Sequence, residues 1–415
     1  MITTYFSSTS KEPLNQVVLN FLDNAIKVSL NNRVEIQIMC FNFTDKHIYN
    51  KIKSIALEYP KLIIKIIADW GNISEENDRK LHLLAKLDLP NLRIRLKYDQ
   101  PYIWDEVNKK LLWNYNTSLG LLHHRTLLLI KNDKPIALQT GSYNWTKLAN
   151  SNYENIIQLN SQESSDKITE LLQHFRDEFS CIWNDINLSL SYRQGLMHLN
   201  HIEKQLRSGI LPKTNMPKTI GNQANLRKEL KDEDILIAFN SKAPKDPDNG
   251  LGFNPNNNFR SFLLRKPSGL SKKAPLSIVN LVLDIINGAS KMEILYVAMF
   301  ALSPRTPEFN ALLQAARRGV HMYFILDKNA NQDIIKKLKE ISRKERIKLQ
   351  VKSGKKIMHQ KYIVNKCSGD VLTGTANITV EASEKHWEHR ILFRNHTRIA
   401  EDFIQDFEKI WSRLS

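Results

Sequence analysis

Ile357-Met358-His359-Gln360-Lys361-Tyr362-Ile363-Val364 sets a histidine and a lysine two residues apart at the head of an apolar run. Side chains two apart on a strand share a face, so His359 and Lys361 point the same way. His123-His124-Arg125, 236 residues earlier, repeats the arrangement with arginine as the cation. Each pair leads to a turn of one kind, Gly141-Ser142-Tyr143-Asn144 after 18 residues and Gly374-Thr375-Ala376-Asn377 after 15. A glutamate follows each turn, Glu154 or Glu388, 10 or 11 residues past the asparagine. An imidazole beside a fixed cation suits a phosphate. The cation neutralises non-bridging oxygens, and the imidazole attacks phosphorus or transfers a proton. An unperturbed histidine pKa of ~6.5 allows either task at neutral pH. Glycine permits the tight turn, and Ser142, Thr375, Asn144 and Asn377 can donate to phosphate oxygens. Glu154 and Glu388 can accept from an imidazole N–H and so fix its tautomer. The duplicated set reads as two halves of one phosphodiester-cleaving site.

The frame around the two sets is duplicated as well. Apolar residues at helical spacing (Val17, Val18, Phe21, Leu22, Ala25) precede an alternating strand, Val34 to Ile38. Ile278, Val279, Val282, Leu283 and Ile286 precede Glu293 to Val297 in the same way. These strands end near Phe41 and Phe300. Helices follow, from Lys46 to Leu57 and from Pro307 to Arg318, the latter closed by Gly319. Buried strands then run into Asp69 and Asp327, which read as turn-formers rather than catalytic groups. Phe41 to Phe300 is 259 residues and Asp69 to Asp327 is 258, whereas the histidines are offset by 236. The first half therefore carries roughly 22 extra residues. They include Tyr102, Trp104, Trp113 and Tyr115 with Lys109 and Lys110; Trp104 and Trp113 are candidates to stack on bases. Strands alternating with helices predict βαβ units with mixed sheets covered on both faces. His124 should face away from His123 as a structural residue. His386 and His389, flanking Glu388, should take surface or supporting roles.

The predicted organisation is a first domain over 1–195, a linker over 196–227 and a second domain over 228–415. Ser208 to Asn222 is rich in Pro, Lys, Gly and Asn. Ser241 to Asn258, followed by the basic Lys266 to Lys273, reads as a surface loop near the site. The 415 residues suffice for two substantial cores, and a net charge of +17 calls for a polyanionic partner. Cys40, Cys181 and Cys367 are scattered, with no zinc spacing, which fits a reducing compartment without disulfides. No P-loop or HExxH is present. The N-terminus lacks signal-peptide character and no apolar run reaches the ~18 residues of a membrane span. The expectation is a soluble cytoplasmic protein.

With these residues quoted, the chain resembles the phospholipase D superfamily. Its motif is HxK(x)4D(x)6G(S/T)xN with a later glutamate, and the likeness covers nearly the whole chain. Asn42-Phe43-Thr44-Asp45 and Gly141-Ser142-Tyr143-Asn144-Trp145-Thr146 are similar to the nucleases of that family. The resemblance implies two α/β/α sandwich domains with mixed β-sheets related by a pseudo-two-fold axis, the site lying in the seam. It implies catalytic roles for His123, His359, Arg125, Lys361, Asn144, Asn377, Glu154 and Glu388, with substrate contacts from Ser142, Thr375, Trp104 and Trp113. His123 would be the nucleophile and His359 the general acid, with no metal or other cofactor. The chain departs from the motif at Arg125, which replaces lysine, and at Ile130 and Lys366, where aspartates are expected; Asp133 and Asp370 lie in the following turns. The function implied is a metal-independent nuclease acting on DNA or RNA through a phosphohistidine. The partner would be nucleic acid, and the chain a monomer with an internal pseudo-dimer or a homodimer. A phosphatidyl transferase like phospholipase D or cardiolipin synthase is the alternative, and an inactive nucleic-acid-binding module the second.

Overall fold

The computed structural model describes residues 1–72, 80–97, 102–105, 110–113, 121–161, 166–184, 189–208, 228–229, 234–240, 278–384 and 386–414. Two eight-stranded sheets share one plan. In the first, Ile2–Phe6, Asn155–Asn160, Lys134–Gly141, Thr126–Lys131, Val34–Cys40, Ile63–Asp69 and Leu92–Lys97 lie side by side, with Ser189–Ser191 added at the far edge. In the second, the same order runs Ile235–Phe239, His389–Phe393, Val371–Gly374, Lys361–Asn365, Ile294–Met299, His321–Leu326 and Leu349–Lys352, with Lys228–Glu229 at the opposite edge. Strand directions agree at every shared position: four antiparallel pairings, then two parallel ones that need crossover helices.

Both faces of each sheet are buried, which explains the uniformly apolar central strands. Leu127 and Leu129 point into the outer core of the first sheet, while Leu128 and Ile130 point into a core that both halves share. That shared core takes the inner face of each sheet and two C-terminal helices, Asp166–Asn184 and Thr397–Arg413. Helices Leu14–Ser29 and Lys46–Glu58 cover the first sheet, and Ile278–Gly288, Pro307–Arg317 and Gln332–Glu345 cover the second. Helix starts follow local chemistry. Asp45 accepts from the backbone N of His47 and Ile48, and Thr306 from that of Phe309. Gly319, with φ +95°, closes the second of these helices in the left-handed region that favours glycine.

One boundary needs amendment. The stretch from 196 begins as helix, because Tyr192–Arg207 is continuous and packs Tyr192 and Leu196 on the first core. Ile2–Phe6 and Ile235–Phe239 are strands that composition does not announce. Residues 241–277, with the basic stretch Lys266 to Lys273, lie outside the described residues. Tyr102–Asp105 and Lys110–Trp113 form an antiparallel hairpin, but the side chains of Trp104 and Trp113 lie outside what is described, so stacking on bases stays a proposal.

Candidate active site

Each histidine loop is held from two directions. Asp69 accepts from Gly71 N with one carboxylate oxygen and from Leu122 N, next to His123, with the other. Asp327 likewise accepts from Asn329 N and Ala330 N, and from Met358 N next to His359. These aspartates are turn-formers, as expected, and also latches on the histidine loops. Asn72 and Asn331, again 259 residues apart, bond the carbonyls of Phe41 and Phe300. Phe41 and Phe300 then meet the His123 and His359 rings edge-on, each with centroids 5.1 Å apart. Sequence reasoning missed the two asparagines, although the constant 259 offset marks them.

The second direction comes from the opposite half. His123 N donates to Trp387 O at 3.0 Å, and His359 N donates to Tyr153 O at 3.0 Å. These parallel bridges deliver the residue after each one, Glu388 or Glu154, to the other half's histidine. His123 Nδ1 lies 2.7 Å from Glu388 Oε1, and His359 Nδ1 lies 2.9 Å from Glu154 Oε2. The sequence groups Glu154 with His123 and Glu388 with His359; the structure crosses them. Neither half holds a complete site alone.

The hydroxyls do not face a substrate position. Ser142 is fully buried and donates to Glu154 Oε2 at 2.6 Å, while accepting from Asn155 N. Thr375, also fully buried, accepts from the backbone N of His389, the residue after Glu388, at 3.1 Å. Ser142 holds the Glu154 carboxylate and Thr375 the backbone beside Glu388, so both hydroxyls are engaged inside the fold rather than on a phosphate. The glycines are required: a Cβ at Gly141 would stand 2.3 Å from Asn155 O, and one at Gly374 2.3 Å from His389 O. Asn144 Oδ1 accepts from Arg125 Nε, and Asn377 Oδ1 from Ala301 N.

The two cations differ. Lys361 Nζ donates to His359 O at 2.6 Å, and burial pulls its pKa down to about 7. Arg125 donates from Nη1 to His123 O and from Nη2 to His123 Nε2, covering that ring nitrogen. Burial lowers Arg125 only to about 10, against the pull of Glu388 and Glu154, so it stays charged at neutral pH. Among the described residues, His359 Nε2 has no such cover. Burial lowers His359 to about 4, although Glu154 opposes the shift, and burial with Arg125 and Lys361 holds His123 well below its ordinary value. Glu388 is pushed up to about 8 by burial, and its Oε2 has no hydrogen-bond partner among the described residues. Glu154, in contrast, accepts from Ser142 and Asn152 besides facing His359.

His124 faces the seam, where its Nδ1 lies 2.9 Å from His389 Nδ1. His389 is fully buried and also bonds Thr140 Oγ1, so its role is internal rather than at the surface. The other half fills the equivalent places with Gln360, bonded to Asp406, and Asn155, bonded to Thr373. His386 Nδ1 accepts from Leu121 N, with its ring 6.0 Å from that of His123. Among the described residues, no three His, Cys, Asp or Glu side chains converge so as to hold a metal ion.

This composite of two histidines, two cations and two crossed glutamates, set between twinned mixed sheets, defines a phosphodiester-handling centre. Residues 26–183 and 282–411 match the family described as "Cardiolipin synthase, PLD-like domain", and the chain belongs to that phospholipase D-like family. Phosphodiesterase-type chemistry is therefore its class. No curated protein sequence matches it. Among solved structures, a phosphatidylserine synthase of Haemophilus influenzae Rd KW20 is similar in fold, with TM-score 0.61 and 10% identity over 100% of this chain and 87% of that one. The phospholipase D family member Nuc of Salmonella typhimurium is 28% identical over 34% of this chain and 90% of its own, with TM-score 0.29. A mutant yeast tyrosyl-DNA phosphodiesterase is 10% identical over 96% and 91%, with TM-score 0.48.

Proposed function

We propose that this chain cleaves phosphodiester bonds in nucleic acid, using one catalytic centre assembled from both halves. The net charge of +17 is the observation that favours nucleic acid, since it matches the one-sign charge of a phosphate backbone. The scissile phosphate sits between His123 and His359, its non-bridging oxygens facing Arg125 and Lys361. The geometry favours the reverse of the order implied by resemblance. His359 Nε2 is uncovered, and its Nδ1–H donates to a carboxylate that Ser142 also holds, so the ring is neutral and oriented to attack. His123 is paired with a glutamate that keeps its proton to about 8, a store suited to a general acid. In the first step, the N–P bond to His359 forms as the P–O bond breaks, and the leaving oxygen takes a proton from the His123–Glu388 pair. In the second, that pair takes a proton from water, which attacks phosphorus and releases His359. Arg125 moves its fork from His123 Nε2 to the phosphate when substrate enters.

The family description names cardiolipin synthase, which favours phosphatidyl transfer as the second reading. Incubation in EDTA with plasmid, single-stranded DNA, RNA and phospholipid vesicles separates the two. Degradation of nucleic acid is expected; turnover of lipid alone overturns the nuclease reading.

A further inference from the structure

Residues 336–356 hold ten Lys and Arg against two Glu, a net +8 of the chain's +17. Lys336, Lys337, Lys339, Arg343, Lys344, Arg346, Lys348, Lys355 and Lys356 are exposed. Both acids in the stretch are already engaged, Glu340 with Lys344 and Glu345 with Arg317. Three of the free cations, Lys336, Lys339 and Arg343, follow a 3–4 spacing and so share one face of helix Gln332–Glu345, with Arg346 continuing the line at its C-cap. At 1.5 Å rise per residue the three helical cations span ~10 Å.

The helix is fixed to the catalytic loop. Asn331, at its start, accepts from Leu302 N and donates to the carbonyl of Phe300, whose ring packs on His359. The chain then turns back through strand Leu349–Lys352, parallel to His321–Leu326, and returns by Lys355 and Lys356 to His359. Lys356 lies over the ring of Tyr153, the residue before Glu154, at 4.4 Å. The cations thus lead from the catalytic seam outward along one flank. In the first half, the described helix between the matching strands is only Lys80–Ala85. A duplex carries one charge per ~1.7 Å of axis, so a cationic line of this length meets several phosphates at once.

We propose that the exposed face of helix Gln332–Glu345, with Lys355 and Lys356, is a docking track for the nucleic-acid backbone flanking the scissile phosphate. The partner is a polyphosphate chain rather than a bilayer. A helix that lies in a membrane interface needs an apolar face turned outward. Here Ile335 and Leu338 are buried in the second core, and Ile334 and Ile341 pack against it. Among the described residues, the exposed large apolar side chain next to the track in sequence is the single Ile357.

The proposal rests on the nucleic-acid reading, but binding is measured without turnover, so the two can fail separately. The full chain and its Lys336→Glu/Lys339→Glu/Arg343→Glu variant are compared for binding to a labelled oligonucleotide duplex across a salt series. They are also compared for hydrolysis of bis(p-nitrophenyl) phosphate, too small to reach the helix, and for sedimentation with anionic vesicles. The variant should bind the duplex at least ~10-fold more weakly near 0.1 M salt, with the log–log salt slope reduced by about 2–3. Its turnover of the small diester should be unchanged, which also shows that it is folded. The Lys336→Gln/Lys339→Gln/Arg343→Gln variant should show a smaller loss in the same direction. Unchanged duplex affinity and slope overturn the track. So does a loss confined to vesicle binding, which would give the surface to a membrane.

Discussion

The two half-sites share one backbone plan but not one chemistry. In the half that supplies Lys361, the ammonium is bonded to a backbone carbonyl, and burial brings its pKa to about 7. In the half that supplies Arg125, the guanidinium keeps its charge and lies on His123 Nε2. The glutamates diverge as well. Glu154 is bonded by Ser142, Asn152 and His359, whereas Glu388 has an oxygen without a partner among the described residues and retains its proton to about 8. A duplicated fold thus gives its two histidines different electrostatic surroundings by changing the cation and the number of donors around one carboxyl. The strands stay the same.

The largest expected effect tests whether the halves form one centre. His123→Ala and His359→Ala should each lower kcat by ~10³-fold or more, since nucleophile and acid act on one phosphate. Circular dichroism and thermal melting should show both variants folded. Near wild-type activity in either one would leave that half-site decorative.

Replacing the cation sharpens the comparison. Arg125→Ala should cost ~10²-fold in kcat/KM by removing a charged donor from the phosphate. Arg125→Lys should keep partial activity, because it matches the Lys361 half. Equal activity of Arg125→Ala and wild type would show that the guanidinium does not touch the phosphate.

The pH profile follows from the glutamate asymmetry. His359 must be neutral to attack, so kcat/KM should rise with pH through its value of about 4. Lys361 must keep its charge and the His123–Glu388 pair its proton, so kcat/KM should fall in two steps, as pH passes about 7 and then about 8. Glu388→Gln should remove or displace the upper step while sparing the step near 7 and the acid limb. An unaltered alkaline limb would take Glu388 out of the acid's role.

A smaller effect concerns stability. Gly141→Ala and Gly374→Ala place a Cβ against a backbone carbonyl at φ +147° and +146°. Each should cost ~1–3 kcal/mol or more, read as a drop in denaturation midpoint. Because the two turns are equivalent, the losses should match; unequal losses would mark one turn as pliable.

Much of this was legible in the sequence, through the repeat. The offset of 259 between Phe41 and Phe300, continued at Asn72 and Asn331, follows a local βαβ frame whose apolar periodicity survives in one chain. The strands Ile2–Phe6 and Ile235–Phe239 were not legible. Each is five residues long, and Thr3-Thr4 reads as polar terminus until Asn155–Asn160 pairs with it. Nor was the crossing of the glutamates. His123 to Glu388 spans 265 residues and Glu154 to His359 spans 205, and contacts at such separations depend on how the two sheets meet. Spacing also misassigned Ser142: a hydroxyl beside glycine suits a phosphate or a carboxylate equally, and only burial against Glu154 decides.

The central claim is one composite centre with His359 as nucleophile and His123 as acid. Acid-quench trapping on a substrate labelled at the scissile phosphate, followed by peptide mapping, tests it most directly. The account predicts label on the peptide containing His359 in the wild-type protein, and none on any histidine peptide in His359→Ala. Label on His123 in the wild-type protein, or turnover with no label on either histidine, would contradict it.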